Sequence, residues 1–141
     1  MTRQLPNVKL STNLSALFFA LYLVSVPQHA HAFTAAPLTL KKTSGIFQVS
    51  NNADKSLRIL VKVFPIVYID GVVTAGLESL SDEEAAKLIR FRPSGARIRR
   101  NGRRNIKYKI LKTNVPFYLC ALNPTETLLL RICSAWKAPS E

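Results

Sequence analysis

Histidine is nearly absent: His29 and His31 are the only two in 141 residues, and both lie near the N-terminus. Downstream of them no Ser-His-Asp or Cys-His nucleophile can be assembled. Glycine is scarce, with five in all, and neither GxGxxG nor GxxxxGK[ST] occurs, so no phosphate-cradling loop is expected. Cysteine is limited to Cys120 and Cys133, without Cys-x-x-Cys spacing. With no histidine to complete a ligand set, neither a metal nor any other cofactor is expected. Acidic residues number 8 against 20 Lys+Arg. Three of the eight, Asp82, Glu83 and Glu84, are adjacent at a helix start, where capping and the helix dipole account for them without acid-base chemistry. A non-enzyme is expected.

The longest apolar run, Leu14–Val26, is too short to span a bilayer, which takes about 20 residues. With Arg3 and Lys9 before it and Ala30-His31-Ala32 after it, the run reads as a secretory signal over residues 1–32, cleaved before Phe33. A single domain over 33–141 is then expected, exported and not membrane-spanning. It keeps 18 Lys+Arg and all 8 Asp+Glu. A field this positive favours an anionic partner or surface. Export argues against a specific nucleic-acid target. An oxidising compartment permits a Cys120–Cys133 disulfide; two buried thiols are the alternative. A hairpin turn within Leu122–Thr127 would leave the two cysteines not directly opposite.

What the sequence does contain is alternation. Ile46–Ser50 reads as a strand, closed by the turn formers Asn51–Ser56. Leu57, Ile59, Val61 and Val63 fall on one face of a second strand. Pro65 marks a bulge or an edge position in it. Asp70-Gly71 predicts a hairpin to Val72–Thr74. Ser81 and Glu84 form a capping box, and Pro93 limits the helix to about Asp82–Leu88. Phe33–Pro37 reads as a lead-in to a strand starting at Leu38. Val115–Leu122 is nearly all apolar, as in a strand buried on both faces, and Thr127–Trp136 alternates again. About seven short strands with one short helix predict an all-β sandwich.

Half of the Lys+Arg lie between Arg90 and Lys112. Asn101-Gly102 predicts a hairpin there, with Ile106, Tyr108 and Ile110 facing a core. Its basic residues, Arg97, Arg99, Arg100, Arg103, Arg104, Lys107 and Lys109, are either a solvated face or an anion-binding surface. Leu128, Leu130 and Ile132 form an apolar series on a last strand that is either a core strand or an edge open to pairing.

The order of features resembles the N-terminal immunoglobulin-like domain of periplasmic, PapD-like pilus-assembly chaperones of the usher pathway. The matching residues are Phe47-Gln48-Val49-Ser50-Asn51 with Asp54, Leu57–Phe64, Asp70-Gly71, Phe91-Arg92-Pro93, Ile98–Gly102 with Ile106, Phe117-Tyr118-Leu119, and Leu128, Leu130 and Ile132. The resemblance implies a periplasmic module that donates its last strand to a pilus (fimbrial) subunit, a form of β-augmentation, with an outer-membrane usher as further partner. The inserting residues would be Leu128, Leu130 and Ile132. The family also anchors the subunit's C-terminal carboxylate with two cations, an Arg near the first strand and a Lys on the last. The cations available here are Lys41 and Lys42 beside Thr39 and Ser44, and Arg131. Asn101 stands where the family has Pro, and the family's second domain has no counterpart among these residues. The rival expectation is a secreted basic protein on an anionic surface; a third is a truncated relative without chaperone activity.

Overall fold

The structure, a computed structural model, describes residues 33–125 and 130–139. The signal expected over residues 1–32 and Leu128 lie outside the described residues. In chain order the elements are β1 (Phe33–Ala36), β2 (Thr39–Leu40), β3 (Ser44–Asn51), β4 (Leu57–Ile69), β5 (Val72–Ala75), α1 (Asp82–Leu88), β6 (Ile89–Arg92), β7 (Gly95–Ile98), β8 (Arg103–Ile110), β9 (Phe117–Leu122) and β10 (Arg131–Trp136). One sheet has the order β1-β3-β8-β6; the other runs β2-β10-β9-β4-β5, with β7 also on β4. Two such sheets, with one short helix, form an immunoglobulin-like sandwich.

Alternation explains the layers. Ile59, Val61 and Val63 of β4 and Leu119 and Ala121 of β9 meet Phe47, Val49, Ile106 and Ile110 of the other sheet in one buried cluster. Phe33, Phe47 and Phe117 are fully buried in it. At about 25 cal/mol per Å² of apolar area, such rings supply the largest single burial contributions. β9 lies between β4 and β10, so its inner face is covered by the opposite sheet. Its outer face carries a second cluster of Phe64, Ala75 and Cys120. This two-sided burial is why Phe117–Leu122 is apolar almost throughout.

Local signals account for several elements. Asp70 (φ 50°) and Gly71 (φ 77°) both take positive φ, as a two-residue turn of the primed kind requires, and β4 pairs antiparallel with β5 around them. Pro65 sits where β4 changes partners: it is the last residue matched to β9, and Ile66 is the first matched to β5. The Ser81–Glu84 capping box forms. Hydrogen bonds from the Ser81 side chain and then its backbone N–H hold the Glu84 carboxyl below its usual value of 4.5.

Other expectations need correction. Phe33–Ala36 is a full strand on β3, not a lead-in. The Asn101-Gly102 turn does not close a hairpin. β7 pairs with β4 and β8 pairs with β3 and β6, so the turn carries the chain from one sheet to the other. Asn101 alone has positive φ there (54°), and the Gly102 N–H donates to Arg99 O at 2.8 Å. A Cβ on Gly102 would sit 2.9 Å from that same oxygen.

Asn51 welds the crossing in place. It is 1% exposed. Its Nδ2 donates to Lys55 O (2.8 Å), Ile98 O (3.1 Å) and Arg99 O (3.1 Å), and its Oδ1 accepts from Ala53 N–H (2.9 Å). One amide thus ties the end of β3, the loop after it and the end of β7.

Candidate functional site

The last strand is held on one side and half open on the other. β10 pairs antiparallel with β9 from Arg131↔Leu122 to Trp136↔Phe117. On its far side β2 runs parallel, but only at Ala135↔Thr39 and Trp136↔Leu40. Ala135 N–H donates to Leu38 O (3.0 Å), and the Ser134 hydroxyl donates to Pro37 O. Among the described residues no strand covers that edge from Arg131 to Cys133. The strand is therefore both an edge and a core contributor. Leu130 and Ile132 are half-buried and pack on the main cluster, and Trp136 is buried, with its indole N–H on Thr113 O (3.1 Å).

Cys120 and Cys133 are directly opposite across β9 and β10, with Cα atoms 4.0 Å apart, and they form a disulfide. This corrects the offset expected from a turn within Leu122–Thr127. Leu122 pairs with Arg131, so eight residues, 123–130, intervene.

The cations expected to anchor a carboxylate do not sit together. Lys41 and Lys42 are exposed and follow β2, at the Trp136 end of β10. Arg131 is at the other end, about 16 Å away at the usual strand rise. Its guanidinium is already committed. It donates to Gly76 O (2.6 Å) and Ala75 O (3.0 Å) and stacks 4.5 Å from the centroid of the Phe64 ring. Sequence reading missed Lys137. The parallel register ends at Trp136↔Leu40, so Lys137 and Lys41 are the next residues of adjacent strands, both exposed. The signal was visible as the lysine directly after the last alternating residue, Trp136.

The basic residues are exposed, but they are not one hairpin. Arg103, Lys107 and Lys109 lie on β8, Arg97 on β7, and Arg99 and Arg100 on the turn between. Arg104 is also on β8 and exposed. The ion pairs among the described residues both involve an acid of α1: Lys62 of β4 with Asp82 at 2.9 Å, and Lys87 with Glu83 at 3.3 Å.

No family model matches the sequence, and no curated protein matches it. Solved structures do match in fold. A chain of the chaperone–tip adhesin complex of CFA/I fimbriae biogenesis superposes with TM-score 0.58 at 11% identity, covering 77% of this chain and 56% of that one. The class 5 fimbriae chaperone CfaA gives 0.54 at 16% identity, over 77% of this chain and 57% of its own. The Pseudomonas aeruginosa CupB2 chaperone gives 0.50 at 17% identity, over 72% and 53%. The chain thus spans little more than half the length of the structures it matches. Its two packed sheets are those of an immunoglobulin-like sandwich, and the chain has the fold of the PapD-like fimbrial chaperones.

Proposed function

We propose that this protein is a periplasmic chaperone-like module that receives a strand-deficient fimbrial subunit along β10 and presents it to an outer-membrane usher. The observation that carries the reading is the strand edge from Arg131 to Cys133, which β9 supports from behind and β2 leaves uncovered. An incoming strand can pair with those backbone groups. Leu130 and Ile132, with Leu128 before them, supply the alternating apolar contacts. The cations that receive a subunit's terminal carboxylate are Lys41 or Lys42 together with Lys137, because these share one end of the β2–β10 pair. Arg131 serves the fold instead. The Cys120–Cys133 bond fixes the base of the donor strand against β9.

The test is co-expression with a fimbrial subunit whose own N-terminal extension has been deleted, followed by co-purification. Wild type retains the subunit in high salt, because strand pairing and apolar insertion are not screened. Leu130→Glu loses it, and Lys41→Glu/Lys137→Glu weakens capture while keeping the wild-type circular dichroism. Full capture by a folded Leu130→Glu variant overturns strand donation.

A further inference from the structure

The charge on this sandwich is arranged in a way that strand donation does not use. Three cation pairs face each other directly across strands: Arg58↔Arg97 on β4 and β7, and Arg90↔Lys109 and Arg92↔Lys107 on β6 and β8. All six side chains are exposed, and none is in an ion pair among the described residues. Like charges placed directly opposite destabilise a sheet. Two of these pairs, Arg92↔Lys107 in one sheet and Arg58↔Arg97 in the other, line surface grooves.

One groove is lined by Arg92, Ser94, Arg104, Asn105 and Lys107. It shares Ser94 and Gly95 with a second, which adds Arg58 and Arg97. That one shares Arg58 and Arg97 with a third, which adds Lys55, Ser56 and Thr125. The three grooves form a continuous track around the β6–β7 corner, from one sheet to the other. Among the described residues six cations line it, Lys107, Arg104, Arg92, Arg97, Arg58 and Lys55, and no Asp or Glu does. Asp54 adjoins Lys55 in sequence but does not line the track.

The shape and lining select among anions. A track that turns a corner suits a flexible linear polyanion better than a flat lipid surface. Among the described residues no aromatic side chain lines it, so bases would find nothing to stack on, which disfavours single-stranded nucleic acid. Hydroxyl and amide groups stand beside the cations instead, as hydrogen-bonding partners for sugar hydroxyls. Guanidinium groups match carboxylates as two-point donors. We propose that this track binds an acidic polysaccharide, with carboxylates on Arg92, Arg97 and Arg58 and sugar hydroxyls on Ser94 and Asn105. The site is separate from the β10 edge and does not depend on strand donation.

Polygalacturonate is the probe, titrated against the purified protein by calorimetry, with neutral dextran, single-stranded DNA and phosphatidylglycerol vesicles in parallel. Two variants carry the same change in net charge. Arg92→Glu/Arg97→Glu removes two track cations, and Arg99→Glu/Arg100→Glu removes two exposed cations that do not line it. The expected result is salt-sensitive binding of polygalacturonate and none of dextran. The track variant weakens binding about tenfold, as opposed exposed charges warrant, and the off-track variant stays within about twofold, the smaller effect of charge outside direct contact. Equal losses in the two variants would reduce the effect to net charge and overturn the proposal. So would tighter binding of DNA or of vesicles, or no binding of polygalacturonate.

Discussion

Replacing Arg131 by alanine separates a structural cation from an anchoring one. The guanidinium donates to the carbonyls of Ala75 and Gly76 at 3.0 and 2.6 Å and covers the Phe64 ring at 4.5 Å. Hydrogen bonds to a charged group contribute about 1.5–3 kcal/mol when buried, and a cation over a ring about 0.5–1 kcal/mol at an exposed site. Arg131 is only half-buried, so solvent screening places the total near the low end, about 2–3 kcal/mol. For a domain of this size that corresponds to a fall in Tm of roughly 10–20 °C, or in the urea midpoint of roughly 1–2 M. Arg131→Lys recovers less than half of it, because one ammonium can neither fork between two carbonyls nor stack flat on the ring. Urea unfolding followed by tryptophan fluorescence reports the change, since Trp136 lies on the same strand. An Arg131→Ala unfolding free energy within about 0.5 kcal/mol of wild type, the usual range of an inconsequential surface substitution, would refute the structural role and return Arg131 to the list of free cations.

Two further substitutions follow from the same reasoning. Cys120→Ala/Cys133→Ala releases a loop with a sequence separation of 13, and chain entropy sets the loss near 3 kcal/mol; guanidinium titration measures it, and an unchanged midpoint would mean that the bond contributes nothing to the folded state. Asn51→Ala leaves the buried Ile98 carbonyl without its side-chain donor and is expected to cost about 2–3 kcal/mol, with faster hydrogen exchange at Gly102 and Ala53, the neighbours it braces; stability equal to wild type would sink the welding role.

The parts of this fold that were legible are the ones set by neighbours in sequence. The Asp82–Leu88 helix carries its own cap, start and stop, so its boundaries could be read from Ser81, Glu84 and Pro93. The Asp70-Gly71 hairpin is equally local. Asn101-Gly102 carries the same dipeptide signal but a different outcome. β7 has only Ala96 and Ile98 to bury, and β4 offers them a partner with Leu57 and Ile59 at the matching register. The choice between β8 and β4 is made by the other sheet, which no local pattern reports. The open edge of β10 was partly legible. Alternation placed Leu130 and Ile132 together, but only the parallel register of β2 on β10 shows where the edge is covered and which lysines stand at its end. Arg131 was unreadable for the same reason, since its acceptors lie 55 and 56 residues away.

The brevity of β2 has a consequence for how selective the β10 edge can be. Every polypeptide offers the same amide and carbonyl pattern, so an unpaired strand invites strangers as readily as a rightful partner. A long open edge would be an aggregation hazard. Here β2 caps the strand at Ala135 and Trp136, and among the described residues of β10 Arg131 to Cys133 are left uncovered. Adding two residues to the β2 pairing would close the doorway; removing β2 would leave it open to anything with a free edge. Two residues of parallel strand therefore set how much of β10 stays open among the described residues, and with it how far the sheet is exposed to pairing with another chain.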